Sequence, residues 1–265
     1  MHPPFLLFKA FLFLSILFPT YFATDDERYT ACTPFNCGNF TQISYPFWRD
    51  SQLEHCGHPM FKLVCFENKA IINITSEKFL VLDINFTTRI LKIAREDLFG
   101  NLCPKNYNNI SLDWDFYNYT SNDENSTLLY DCDPDVNTSK LATNFSFTCP
   151  INGKGPHPRD AYFVRQTNWA DPSPLECRIY MRVPVLLLAV ISFIMNSSLD
   201  VGYVLDQGFE IRWAVDEANC EDCKRSGGKC GHNVTTAEFR CFCPDQPYAT
   251  ACGHKLSPPS TCPSP

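Results

Sequence analysis

The sequence has 265 residues, 45% apolar and 14% aromatic, which is core material for one large domain or two ordinary ones and excludes a mini-domain. Charged residues make up 19%, below the usual quarter, so neither a disordered chain nor a coiled coil is expected. With 22 basic against 29 acidic residues the formal net charge is −7, which gives nucleic acid and anionic membrane surfaces no overall electrostatic attraction.

In chain order, the apolar run Phe5 to Phe18, interrupted once by Lys9 and followed by the small Ala23, marks residues 1–23 as a secretory signal peptide. The competing reading is a retained anchor, but the run is shorter than the roughly 17 residues a bilayer-spanning helix needs. Export agrees with fifteen cysteines, which persist as disulfides only in an oxidising compartment. It also agrees with ten N-x-S/T sequons, at Asn39, Asn73, Asn85, Asn109, Asn118, Asn125, Asn137, Asn144, Asn196 and Asn233, each of which would force its segment to face solvent if glycosylated. The expected location is secreted, extracellular or cell wall.

Between Met60 and Leu98 the sequence predicts an antiparallel meander: strands Phe61–Phe66, Ala70–Ile74, Phe79–Ile84 and Arg89–Ala94, with turns at Glu67-Asn68-Lys69, Thr75-Ser76 and Phe86-Thr87-Thr88. The alternation in Phe79–Ile84 and Ile90–Ile93 implies one face on a core and one on water. Further strands are expected at Phe145–Cys149, Tyr162–Arg165, Ile179–Val190 and Phe209–Trp213. The apolar stretch Val183–Met195 carries Pro184 and has 13 residues, so it is read as a buried strand pair and not a membrane span. The ending GHKLSPPSTCPSP is Pro/Ser-rich without a hydrophobic segment, so no anchor and no stable membrane insertion are expected from this sequence. The fold class is predominantly β, disulfide-rich and loop-rich, in two cysteine-rich modules. The expected divisions are 1–23 leader, 29–104 first module, 105–127 acidic sequon-bearing connector, 128–252 second module and 253–265 tail.

The first cysteine group is Cys32, Cys37, Cys56, Cys65 and Cys103. The second is Cys220, Cys223, Cys230, Cys241, Cys243 and Cys252, spaced C-x2-C-x6-C-x10-C-x-C-x8-C, whose last three have an EGF-like pattern. Together with Cys132, Cys149 and Cys177 these are the expected disulfide cysteines. The odd total leaves one over, and Cys262 in the tail is the natural candidate. Four thiolates at this spacing also suit zinc, but a secreted chain favours disulfides, so no metal and no cofactor are expected.

The residues themselves resemble a known family. Cys32-Thr33-Pro34-Phe35-Asn36-Cys37-Gly38, Ile43-Ser44-Tyr45-Pro46-Phe47-Trp48, Cys56-Gly57, Phe61-Lys62-Leu63-Val64-Cys65 and Ile93-Ala94-Arg95 resemble the galacturonan-binding domain of plant wall-associated receptor kinases. Cys177, Val183-Pro184-Val185, Gly208-Phe209-Glu210-Ile211-Arg212-Trp213, Ser226-Gly227-Gly228-Lys229-Cys230-Gly231 and Phe239-Arg240-Cys241-Phe242-Cys243 resemble the C-terminal cysteine-rich domain associated with it. Order and spacing are similar to the ectodomain of leaf-rust-resistance-type receptor-like kinases. That resemblance implies a binding module for acidic cell-wall polysaccharide (pectin), in wall or defence sensing, with receptor-kinase ectodomains as further partners. Full-length members are single-pass plasma-membrane proteins. By analogy with EGF-like pairing, Cys243 should bond Cys252.

A galacturonan site needs aromatic platforms for sugar C–H faces and cationic forks for carboxylates. Tyr45, Trp48 and Arg49, with the later Arg89, Lys92 and Arg95, are the candidate set; Phe47 beside them is read as a core plug, and Trp48 is open to either role. Residues 30–103 balance at 7 basic and 7 acidic, so binding must come from local placement and not from bulk charge. No enzyme is expected: there is no G-x-G-x-x-G, H-R-D, D-F-G or A-P-E, no G-x-S-x-G and no H-E-x-x-H, and Asp113-Trp114-Asp115 reads as a solvated turn. His55-Cys56-Gly57-His58 reads as a disulfide-held turn. The alternative function is an apoplastic protein- or peptide-binding decoy or co-receptor without a carbohydrate ligand.

Overall fold

A computed structural model describes residues 25–132, 146–149, 161–165 and 177–253. The leader, the tail beyond Gly253, Cys262 and the sequons at Asn137 and Asn144 lie outside these residues.

The alternating apolar pattern builds a meander. Strands β1 (Phe35–Cys37) and β2 (Phe40–Ile43) form a hairpin, and β3 (Trp48–Arg49) runs parallel to β4 (Lys62–Phe66). From β4 the chain turns back through β5 (Lys69–Ile74), β6 (Glu77–Asn85) and β7 (Ile90–Arg95), each antiparallel to the last. Three of the turns place Glu67, Thr75 and Arg89 in the left-handed region. The Asn85 side chain accepts from the Thr87 and Thr88 N–H groups at 3.0 Å, holding the β6–β7 turn.

Two later strands complete this sheet. β8 (Tyr117–Tyr119) and β13 (Phe209–Trp213) give the order β3-β4-β5-β6-β7-β13-β8, with Phe209 opposite Ile93 and Trp213 opposite Tyr117. The sheet therefore draws on residues expected in the connector and in the second module. Gly208 makes the approach feasible: it has φ +65°, and a Cβ there would collide with the Ile93 carbonyl. One face of the sheet carries Leu63, Ile72, Phe79, Ile93, Phe209 and Ile211 into the main core.

A second sheet has the order β10 (Ser146–Phe147), β11 (Ala161–Arg165), β9 (Asp123–Cys132), β12 (Cys177–Leu186). Pro184 sits on β12, an edge strand, where a missing N–H costs no ladder bond. The expected strand pair over Val183–Met195 is corrected here: the strand ends at Leu186, and Leu187–Met195 is a helix. The helix buries Ala189, Val190 and Phe193, the helical spacing that lays one stripe on the core, and leaves Leu188 and Met195 exposed. Among the described residues no helix is long and apolar enough to cross a membrane.

The third unit is small and held by sulfur. Helix Glu217–Arg225 packs on strands β14 (Lys229–His232), β15 (Phe239–Phe242) and β16 (Pro247–Tyr248), with a core made largely of cysteine. Cys220–Cys230, Cys223–Cys241 and Cys243–Cys252 cross-link it. Elsewhere the pairs are Cys32–Cys56, Cys37–Cys65, Cys103–Cys149 and Cys132–Cys177. The chain is thus predominantly β and disulfide-rich.

Candidate functional site

The segment Tyr45 to Arg49 connects the first β-hairpin to the large sheet, and its side chains separate into core and surface roles. Phe47 is 1% exposed and meets Phe61, Phe86 and Trp213 edge-on, so it plugs the core. Trp48 is buried too: its indole N–H donates to the His58 carbonyl at 3.0 Å, and the Lys62 ammonium lies 5.0 Å from its ring centroid. Arg49 is half-buried, its guanidinium 5.5 Å from the Phe35 ring and one N–H donating to the Asn36 carbonyl at 2.9 Å. Tyr45 donates its hydroxyl to Asp216 Oδ2 at 2.6 Å, and burial with that carboxylate raises its pKa.

Arg89, Lys92 and Arg95 do not converge. Strand side chains alternate between faces, so positions three apart lie on opposite sides of the sheet. Lys92 is on the outer face, across from Asp83 and Glu210. Arg95 is on the core side with 3% exposure; it pairs with Asp97 at 2.7 Å and donates to the Asn106 and Asn108 carbonyls. Arg89 stands in the β6–β7 turn and pairs with Glu217.

Tyr45 also forms part of a cleft of about 300 Å³ between the first hairpin region and the cysteine-held unit. Pro34, Phe35 and Tyr45 supply an apolar surface, and Lys224 and Lys229 stand on the opposite wall. Lys229 is partly desolvated, which lowers its pKa, and its ammonium lies 4.5 Å from the Tyr29 ring centroid. Gln52, on the same wall as Pro34, donates to the Thr33 carbonyl at 2.9 Å, while its side-chain oxygen is buried with no partner. An aromatic floor, two ammonium groups and an amide can hold the C–H face of a ring and an anionic substituent together. Lys224, Lys229, Phe35 and Gln52 were not among the sequence candidates; the signal that singled out Ser226–Gly231 as a motif carried no information about which segment it faces.

Among the described residues two sets of ligand-type side chains cluster, Cys32 with His55 and Cys56, and Cys241 with Cys243 and Cys252. Every one of these sulfurs is in a disulfide and is no thiolate ligand. Asp113 accepts from the Asp115 N–H and, through its carbonyl, from Phe116 and Tyr117, which is a turn and not a catalytic pair. Of the eight described sequon asparagines seven are exposed and Asn233 is half-buried. Asn73, Asn85 and Asn118 share the outer face of the large sheet.

The chain is thus β-rich and disulfide-linked, with a cleft between its first hairpin region and its cysteine-held unit. Residues 32–95 match the wall-associated receptor kinase galacturonan-binding family, and residues 148–246 match the wall-associated receptor kinase C-terminal family. The chain is 32% identical over 91% of its length to leaf rust 10 disease-resistance locus receptor-like protein kinase-like 2.1 of Arabidopsis thaliana. It is also 32% identical to the like 2.8 protein and 28% identical to the like 1.2 protein of the same plant, over 83% and 92% of this chain. It spans 38%, 25% and 37% of those three relatives, over their ectodomain region. Only ectodomain-type families match, and the chain contains no kinase domain. No solved structure matches.

Proposed function

We propose that this protein is a secreted, glycosylated module that binds acidic cell-wall polysaccharide, pectic galacturonan in particular, and serves wall or defence sensing alongside receptor-kinase ectodomains. The observation that carries this reading is the seam cleft, where an aromatic floor and the Lys224 and Lys229 ammonium groups come from segments matching the two receptor-ectodomain families. In this reading Tyr45 is the floor, Arg49 supports Phe35 from behind, and Trp48 fixes the loop. Arg89 and Lys92 lie outside the cleft, beside carboxylates, and Arg95 acts through the fold.

The test is calorimetry with de-esterified oligogalacturonide, its methyl ester and a neutral glucan. Binding should be confined to the de-esterified form and weaken with salt, since both esterification and screening remove charge-assisted contacts. Replacing Lys224 and Lys229 together by Ala should weaken it by about tenfold, equivalent to ~1.4 kcal/mol. No binding to any pectic fragment would reject the carbohydrate reading and leave a protein- or peptide-binding role.

A further inference from the structure

The motif His55-Cys56-Gly57-His58 has no part in the cleft beyond Cys56, yet it helps to build a second pocket. This pocket, of about 260 Å³, is lined by Arg28, His55, His232, Asn233, Arg240 and Phe242 among others. It lies beside the Cys32–Cys56 disulfide, against which Phe242 packs. Its polar lining is incomplete. His232 is 1% exposed and hydrogen-bonds the Gly57 backbone, while its Nδ1 has no partner. His55 Nε2 is likewise buried and unpartnered, its ring edge-on to Phe242 at 5.1 Å. Buried polar atoms in folded proteins are almost always paired, so two open imidazole nitrogens in one pocket point to a missing group.

The donors around the pocket indicate the chemistry of that group. Arg28 is paired with Asp26 and Arg240 with Glu238, but a guanidinium carries five donors, and neither pairing uses them all. Asp26 and Glu27 act on His55, Glu54 and Asp216 act on His232, and His58 stands 6.4 Å from His232, ring to ring. It is the guanidinium N–H groups left outside these pairings, and not the net charge, that suit the oxygens of an anion.

We propose that this pocket binds one carboxylate of a uronate sugar between the Arg28 and Arg240 guanidiniums and the His55 and His232 imidazoles. The source of the carboxylate rests on the polysaccharide reading above; the site is separate from the lysine-bearing cleft. Val234, which is exposed, and Pro247 offer apolar surface for a sugar ring. The volume, below the roughly 300–1,000 Å³ of pockets for drug-sized ligands, suits one ring and not a stretch of polymer.

Binding here is proton-linked. Desolvation lowers the pKa of both imidazoles, so each is neutral in the empty pocket at pH 7. His232 Nδ1 then presents a lone pair and accepts only; to donate to a carboxylate it must take up a proton. Affinity therefore rises as pH falls from 7 towards 5, until the uronate itself protonates at about pH 3.5.

Calorimetry of the secreted chain and its Asn233→Gln form with digalacturonate and its methyl ester, at pH 5 and pH 7 in buffers of different ionisation enthalpy, tests this. The Asn233→Gln form removes any glycan from the pocket mouth. The expected result is about tenfold tighter binding at pH 5 with proton uptake, loss with the ester, weaker binding at both pH values in a folded Arg240→Gln variant, and loss of the pH dependence in a folded variant carrying both His55→Gln and His232→Gln. Equal affinity at both pH values, or a folded variant with both histidines replaced that keeps the wild-type pH profile, would overturn the pocket and leave the polysaccharide reading standing. No binding of digalacturonate to either form at any pH overturns both. Proton-linked binding of an acidic peptide in place of the sugar overturns the uronate assignment.

Discussion

The Tyr45 hydroxyl and the Asp216 carboxylate meet at 2.6 Å across 171 residues of sequence, joining the first hairpin region to the helix of the cysteine-held unit. The Tyr45 ring meets Phe239 edge-on at 6.0 Å, and Arg89 pairs with Glu217 next to Asp216. Tyr45→Phe keeps the ring contact and deletes one hydrogen bond to a charged acceptor. It should cost about 1.5–3 kcal/mol, read as a lower urea midpoint at unchanged m-value. An unchanged midpoint would show that the seam is held without this bond.

Arg95 and Lys92 make a contrasting pair. Removing the Arg95 guanidinium strands Asp97 and two backbone carbonyls in a site where its own side chain is 1% exposed. Arg95→Met should destabilise by about 3–5 kcal/mol, and Arg95→Lys should recover little of it, because an ammonium cannot reproduce the fork. Lys92→Ala, on the outer face, should stay within about 0.5 kcal/mol. Equal effects at the two positions would contradict the assigned faces.

The meander was legible because one face of it packs on a core and the other meets water, which writes period-two alternation into the sequence. The same alternation places Arg95 with Leu91 and Ile93 and away from Lys92, so the parity was available although the three cations read as one group. Helix Leu187–Met195 was not legible: Leu188 and Met195, on its exposed side, are as apolar as Val190 and Phe193 on its buried side, so no polar contrast marks its period. The insertion of β13 beside β7 left no local trace, since Phe209 and Ile93 pair across more than a hundred residues. Both pockets escaped for the same reason. Residues between 28 and 56 supply one half of each and residues between 224 and 247 the other, and neither half is a motif alone.

The disulfides should differ in weight according to the loops they close. Cys37–Cys65 spans 28 residues and Cys243–Cys252 spans 9. Loop-closure entropy gives about 3–4 kcal/mol for the first and about 2–3 kcal/mol for the second. Paired Cys→Ser replacements, compared by chemical denaturation under non-reducing conditions, should follow that order. A larger loss at Cys243–Cys252 would mean that the small cysteine core depends on that bond for more than loop entropy.

Stability should fall in mild acid, and two opposing groups set the slope. Burial lowers the pKa values of His55, His58 and His232 below the ordinary 6.5. As pH falls through 6.5 the unfolded chain takes up protons at these sites while the folded chain does not, so their contribution is full above 6.5 and declines towards the depressed folded values. Asp123 acts in reverse. Burial, with Glu210 nearby, raises its pKa from 3.8 to about 6, against the hydrogen bonds it accepts from the Glu210 and Thr120 N–H groups. Between those values the folded state holds a proton that the unfolded state has released, so Asp123 adds stability as pH falls from 6 to 4. Asp123→Asn removes this compensation and should steepen the acid loss, and His58→Gln should flatten it. Urea midpoints from pH 4.5 to 7.5 measure both. A wild-type profile that gains stability on acidification below pH 6.5, with His58→Gln unchanged from it, would reject the histidine account and leave Asp123 as the dominant group.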